Sequence, residues 1–144
     1  FGSQLIVAPV TAPGAGEKRA AEVRLWLPEG LWYDFFTDEV YEGGRRLTLR
    51  CPLERIPVFV RSGGIVPMQE PDCTEDLPDR ITLHVWPGQG RFRLCEGEEL
   101  CLEAAIYQNE SGVYIKARSS PPGRKYIIIR HTSGKTTLKC EEGY

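Results

Sequence analysis

Two groups of acidic residues are the first candidates for chemistry in this chain: Asp34, Asp38 and Glu39 in one stretch, and Glu96, Glu98 and Glu99 in another. Carboxyl groups held roughly 5 Å apart can act as nucleophile and acid/base on either side of a bond. Both groups fall where hairpin ends are expected, and acidic residues there are ordinarily solvated turn formers. They are read as turns.

The other reactive side chains form no recognisable machinery. His84 and His131 are the two candidate bases, and neither has the sequence setting of a nucleophile's partner, so each is read as a surface or strand-face residue. The five cysteines (Cys51, Cys73, Cys95, Cys101, Cys140) are odd in number and include no C-x-x-C pair. That pattern predicts neither a complete disulfide framework nor a zinc site. Free thiols in a reducing cytosol are the favoured reading, and a single disulfide involving Cys95 or Cys101 stays open. Gly14-Ala-Gly16 and Ser62-Gly63-Gly64 lack the lysine and following helix of a phosphate loop and are read as turns. No cofactor or metal is expected.

Aromatic residues give the one binding candidate. Trp26, Trp86 and Tyr114 alternate with aliphatic positions, so they are predicted on the outer faces of their strands, where a ring can stack on a sugar. A surface that packs on another domain would carry the same outward aromatics.

The elements that position these residues are short and extended. A 41% hydrophobic content is enough for a core, and 15 glycines and 11 prolines spread along the chain supply the frequent turns of an all-β protein. Val23, Leu25 and Leu27 alternate with Arg24 and Trp26 up to the Pro28-Glu-Gly30 turn. Leu31 to Phe36 is an aromatic strand, joined through Thr37-Asp-Glu39 to Val40-Tyr41. Leu5 to Val10 reads as a buried strand, and Pro57 requires an edge position or strand start for Ile56 to Arg61. Ile81, Leu83 and Val85, then Pro87-Gly88-Gln-Gly90, then Phe92 and Leu94 read as a hairpin. Leu100, Leu102, Ala104 and Ile106 share one face of a strand, with a helix as the alternative. Val113, Ile115 and Ala117 alternate in the next strand, Tyr126 to Ile129 suits a strand buried on both faces, and Thr136 to Cys140 closes the second sheet.

This spacing predicts an antiparallel β-sandwich architecture, built as two small sandwiches. The acidic, proline-containing stretch Met68 to Asp79 reads as a linker, placing the domains at residues 1–78 and 79–144. A formal net charge of −2 with interspersed signs offers no cationic footprint, so nucleic acid and membrane surfaces are not expected partners. The chain begins at Phe1 without an initiator Met and shows neither a secretory signal nor an apolar run of membrane-spanning length.

In order, Phe1-Gly-Ser-Gln-Leu-Ile-Val-Ala-Pro-Val10, Arg24-Leu-Trp-Leu-Pro-Glu-Gly-Leu-Trp-Tyr-Asp-Phe35, Tyr41-Glu-Gly-Gly44 and Ile56 to Pro67 resemble the region after the catalytic barrel in glycoside hydrolase family 31. Leu83-His-Val-Trp-Pro-Gly88 and Phe92-Arg-Leu-Cys-Glu96 resemble a hairpin of that family's distal domain, although Cys95 and Glu96-Gly-Glu-Glu99 depart from its Glu-Asp-Asp-Gly run. The resemblance implies a proximal and a distal C-terminal β-sandwich, the latter incomplete, behind an upstream (β/α)8 barrel that hydrolyses α-glucosides or α-xylosides with retention. The Trp-x-Asp-x-Asn-Glu type segment that carries the family's nucleophile does not occur here, so no residue takes a catalytic role. What the resemblance implies is a non-catalytic accessory region stabilising the barrel; the alternative is a carbohydrate-binding module that meets oligosaccharide through Trp26, Trp86 or Tyr114.

Overall fold

Alternating side chains and closely spaced turns produce thirteen strands in the computed structural model, which describes residues 2–16, 19–69, 80–96, 99–109, 112–119, 125–131 and 137–139. In chain order they are β1 (Leu5–Val7), β2 (Ala21–Leu27), β3 (Leu31–Asp34), β4 (Val40–Glu42), β5 (Arg45–Cys51), β6 (Val58–Arg61) and β7 (Ile65–Met68). β8 (Arg80–Val85), β9 (Gly90–Glu96), β10 (Glu99–Asn109), β11 (Gly112–Ser119), β12 (Lys125–Arg130) and β13 (Thr137–Lys139) follow. The Leu102–Ile106 window is thus a strand rather than a helix. Contacts divide the chain into two units, Phe1–Arg61 and Ser62–Tyr144. This division falls before the expected boundary after residue 78 because β7 pairs with β8, Ile65 opposite Val85, and so belongs with the second unit. Most of the linker-like stretch, residues 70–79, lies outside the described residues.

In the first unit a four-stranded sheet, ordered β1-β6-β3-β4, faces the ribbon β2-β5. Leu27 from the ribbon packs with Trp32 and Phe59 from the sheet, and all three are buried. Burying side chains of this size contributes on the order of 1.5–3 kcal/mol each. The alternation predicted for β2 holds: Val23 and Leu27 are buried, while Arg24 and Trp26 are exposed. β1 departs from the expected buried strand. It lies at the sheet edge with β6 as its neighbour, and Val7 is 40% exposed. Pro57 stands just before β6, where its missing N–H costs no ladder bond, and its carbonyl accepts from Ala8 N at 3.0 Å.

The ribbon and the sheet join at one corner. The chain passes from β2 to β3 through Pro28–Gly30 and returns from β4 to β5 through Gly43–Gly44, changing sheet both times. The two turns touch backbone to backbone: Gly43 N donates to Gly30 O (2.7 Å) and Gly44 N to Leu27 O (2.8 Å). The Trp32 indole N–H closes the same corner by donating to Pro28 O at 2.9 Å. A Cβ on Gly43 would lie 1.7 Å from Pro28 O, so only glycine allows this approach.

The β3–β4 turn is held by its acidic residues. Asp34 Oδ1 accepts from the backbone N–H groups of Phe36 and Thr37, both at 2.9 Å, and meets Arg55 Nη2 at 3.4 Å. The Tyr41 hydroxyl donates to Glu39 Oε2 at 2.9 Å. Burial, then the hydrogen bond and charge of Glu39 and the charge of Asp34, push the Tyr41 hydroxyl up to about 12, with Arg55 opposing.

The second unit is a two-sheet sandwich. One sheet runs β13-β12-β8-β7 and the other β11-β10-β9. Ile65, Ile81, Leu83 and Val85 from the first meet Leu102, Ala104 and Ile106 from the second in one core. Within the predominantly antiparallel fold, β12 pairs parallel to β8, Ile128 opposite Leu83. The intervening β9–β11 sheet supplies the long crossover that a parallel pair needs. The expected β8–β9 hairpin does not form, because those strands enter opposite sheets. The Pro87–Gly90 turn is present, but its partner is the turn at Ser62–Gly64. Gly63 N and Ser62 Oγ both donate to Pro87 O, at 2.7 and 2.9 Å, and Trp86 N donates to Gly64 O at 3.0 Å.

Two consequences can be measured by urea unfolding of the chain. Gly43→Ala should cost about 3 kcal/mol or more because it wedges the corner apart. Gly44→Ala, whose Cβ would make only an ordinary 3.5 Å contact at φ +73°, should cost about 1–2 kcal/mol of backbone strain; equal costs would remove the corner's special status. For Tyr41, the raised hydroxyl stabilises the fold fully below pH 10, and this contribution is lost as pH rises from 10 to about 12. The stability of the unmodified chain relative to Tyr41→Phe should therefore fall across that window, and a flat difference would contradict the assignment.

Candidate functional site

Asp34 and Glu39 are already engaged in the turn described above, which uses Asp34 as an acceptor for backbone N–H groups and Glu39 as an acceptor for Tyr41. Asp38 sits at φ +58° in the same turn, and its N–H donates to Asp34 O at 2.9 Å. The carboxylates of Asp34 and Glu39 organise a hairpin end, as their sequence setting predicts. Glu98 and the side chains of Glu96 and Glu99 lie outside the described residues. Cys51 is a buried free thiol that donates to Arg55 O at 2.9 Å, and Cys95 is free and exposed. Cys73, Cys140 and the Cys101 side chain lie outside the described residues. Among the described residues, no group of three or more His, Cys, Asp or Glu side chains gathers as a metal site.

The three candidate sugar-contacting aromatics separate. Trp26 is 56% exposed on β2 and Tyr114 is 49% exposed on β11, both on the outer faces their alternation predicts. Trp86 is fully buried, which corrects the expectation of an outward ring. It follows Val85, the last residue of β8, so the two-residue period no longer governs its direction. Its ring stacks on His131, with centroids 4.0 Å apart and an interplanar angle of 13°.

Sequence reading missed what the two histidines do. His84 Nδ1 and His131 Nε2 are 2.8 Å apart, and both rings are half-buried. At that separation a single N–H lies between the nitrogens, one ring donating and the other accepting. Together with His131 N donating to Val85 O at 2.8 Å, the pair fastens the residue after β12 to β8. The two rings are 47 residues apart in the chain, and no local pattern announces such a contact.

Surface chemistry differs between the units. In the first, Phe36 (60% exposed), Leu53 (75%) and Ile56 (50%) lie on the two segments that Arg55 connects by reaching Asp34 and sitting 5.5 Å above the Phe36 ring. In the second, the outer face of β9–β11 carries exposed Arg91, Arg93, Lys116 and Arg118 beside Tyr107 and Tyr114.

Comparison with known proteins places these surfaces in context. Residues 1–66 match the Glycosyl hydrolase family 31 C-terminal domain. The chain is 36% identical over 118 residues to an α-xylosidase from Saccharolobus solfataricus, covering 79% of this chain and 15% of that protein. It is 24% identical over 158 residues to α-glucosidase 2 from Bacillus thermoamyloliquefaciens, covering 97% of this chain and 19% of the other. Among solved structures, the family 31 dextranase from Flavobacterium johnsoniae superimposes with a TM-score of 0.68 at 29% identity, over 93% of this chain and 19% of that one. In each relative the matched region is thus a small part of a much longer protein. The ordered motifs from Phe1 to Pro67, the strands they build among the described residues and these relatives agree: residues 1–66 are C-terminal-domain sequence of glycosyl hydrolase family 31.

Proposed function

We propose that this chain is a non-catalytic C-terminal accessory region of a retaining α-glycosidase, and that it stabilises the upstream (β/α)8 barrel by burying apolar surface against it. The parent enzyme hydrolyses α-glucosides or α-xylosides, in keeping with the names of its relatives. The observation that carries this reading is the exposed apolar end of the first unit at Phe36, Leu53 and Ile56. Large side chains exposed to this degree on adjoining segments are characteristic of a surface that meets another polypeptide. Their burial against the barrel would supply on the order of 1.5–3 kcal/mol per side chain, without a titratable group. The carboxylates that can be placed support the same reading, since Asp34 and Glu39 are committed to the turn.

A second reading, carbohydrate binding, retains Trp26 and Tyr114 as exposed rings and loses Trp86. Trp26 belongs to the first unit and Tyr114 to the second.

In the parent enzyme, Phe36→Ser combined with Leu53→Ser should lower the Tm by roughly 5 °C and speed heat inactivation, with kcat/KM for a chromogenic α-glucoside or α-xyloside at 25 °C unchanged. An unchanged Tm would count against docking on the barrel. Turnover of the same substrates by the isolated 144-residue chain would overturn the non-catalytic assignment. Quenching of tryptophan fluorescence by maltooligosaccharides, abolished by Trp26→Ala, would instead support the second reading.

A further inference from the structure

We infer that the outer face of β9–β11 is a docking surface for a uronate-bearing, carboxylated polysaccharide. Its placement follows from register. Ala105 of β10 lies opposite Arg91 on β9 and Lys116 on β11. Glu103, two residues earlier, lies opposite Arg93 and Arg118, and Tyr107, two residues later, lies opposite Tyr114. Buried Leu102, Ala104 and Ile106 occupy the inner face, so these three rows share the outer one.

The rows differ in charge. In the first, Glu103 is paired on both sides, Arg93 Nε at 3.0 Å and Arg118 Nη2 at 3.7 Å, so its cations are partly neutralised. In the middle row Arg91 and Lys116 are exposed and make no ion pair among the described residues. They flank the small side chain of Ala105, with backbones roughly 10 Å apart across two strand spacings. The last row, about 7 Å further along the strands, holds the exposed tyrosines, Tyr107 at 44% and Tyr114 at 49%. Cations on either side of a small side chain, beside two rings, are complementary to a planar carboxylate carried on a sugar. The carboxylate takes charge-assisted hydrogen bonds from Arg91 and Lys116, and a pyranose face covers the tyrosines. A neutral glucan would leave the middle row without counter-charge.

The inference rests on reading the parent as an enzyme that acts on glycans, which favours a sugar over a nucleic acid as the polyanion. Isothermal titration of the 144-residue chain with tetragalacturonate, maltotetraose, dextran sulfate and a short oligothymidylate tests it. Saturable binding of tetragalacturonate is expected, weakened at least tenfold by Arg91→Ser with Lys116→Ser and again by Tyr107→Ala with Tyr114→Ala. Because these side chains are exposed, both variants should unfold at the same urea concentration as the unmodified chain. Binding that is absent, unchanged in either variant, or matched by dextran sulfate or the oligonucleotide would overturn the proposal. The heat-stability and hydrolysis measurements on the parent read a different surface, so failure here and failure of the accessory role are separable.

Discussion

The first unit depends on one close backbone approach, where the Gly43–Gly44 turn lies against the Pro28–Gly30 turn. Both turns carry the chain between the sheet and the ribbon, so their contact sets how far apart the two layers stand at that corner. The bond from Gly43 N to Gly30 O and the missing Cβ of Gly43 allow the layers to meet. Trp32 combines the two levels of organisation, since its ring fills the core while its N–H satisfies Pro28 O. Packing and polar satisfaction thus converge on the same few residues, as a buried corner requires.

A comparable contact organises part of the second unit. The Ser62–Gly64 turn occupies the carbonyl of Pro87 and the N–H of Trp86, groups that a simple β8–β9 hairpin would leave to its own turn. The chain therefore leaves β8 for the opposite sheet, and β9–β11 becomes the crossover that returns it as β12, parallel to β8. His131, just beyond β12, closes this arrangement through His84 and Trp86. His84 and His131, which superficially offered base chemistry, and Trp86, which offered sugar stacking, are thereby explained as structural fastenings.

On the proposed reading, function resides in what the faces present: the first unit offers an apolar end and the second a cationic, aromatic sheet face. A sandwich suits this role because each strand divides its side chains between a core that fixes the backbone and a face free to specialise. The chain spans only 15% of the length of the α-xylosidase and 19% of that of the α-glucosidase it matches.

Two-residue periodicity alone determined most of the strands, because the alternation of Val23 with Arg24, Phe92 with Arg93 and Ile115 with Lys116 leaves one burial pattern open to an extended chain. Turn chemistry located the corners and identified Asp34 and Glu39 as turn residues, since their acceptors serve neighbours within a few positions. Sequence motifs in order also identified the family. Tertiary structure decided which turns are hairpins and which change sheet, because Pro87–Gly90 has the same local chemistry in either case and only its contact with Ser62–Gly64 distinguishes them. It likewise buried Trp86, joined His84 to His131 and aligned Arg91, Ala105 and Lys116 across three strands. Each of these pairs groups distant in the chain, and a local period carries no information about which distant strand will be its neighbour.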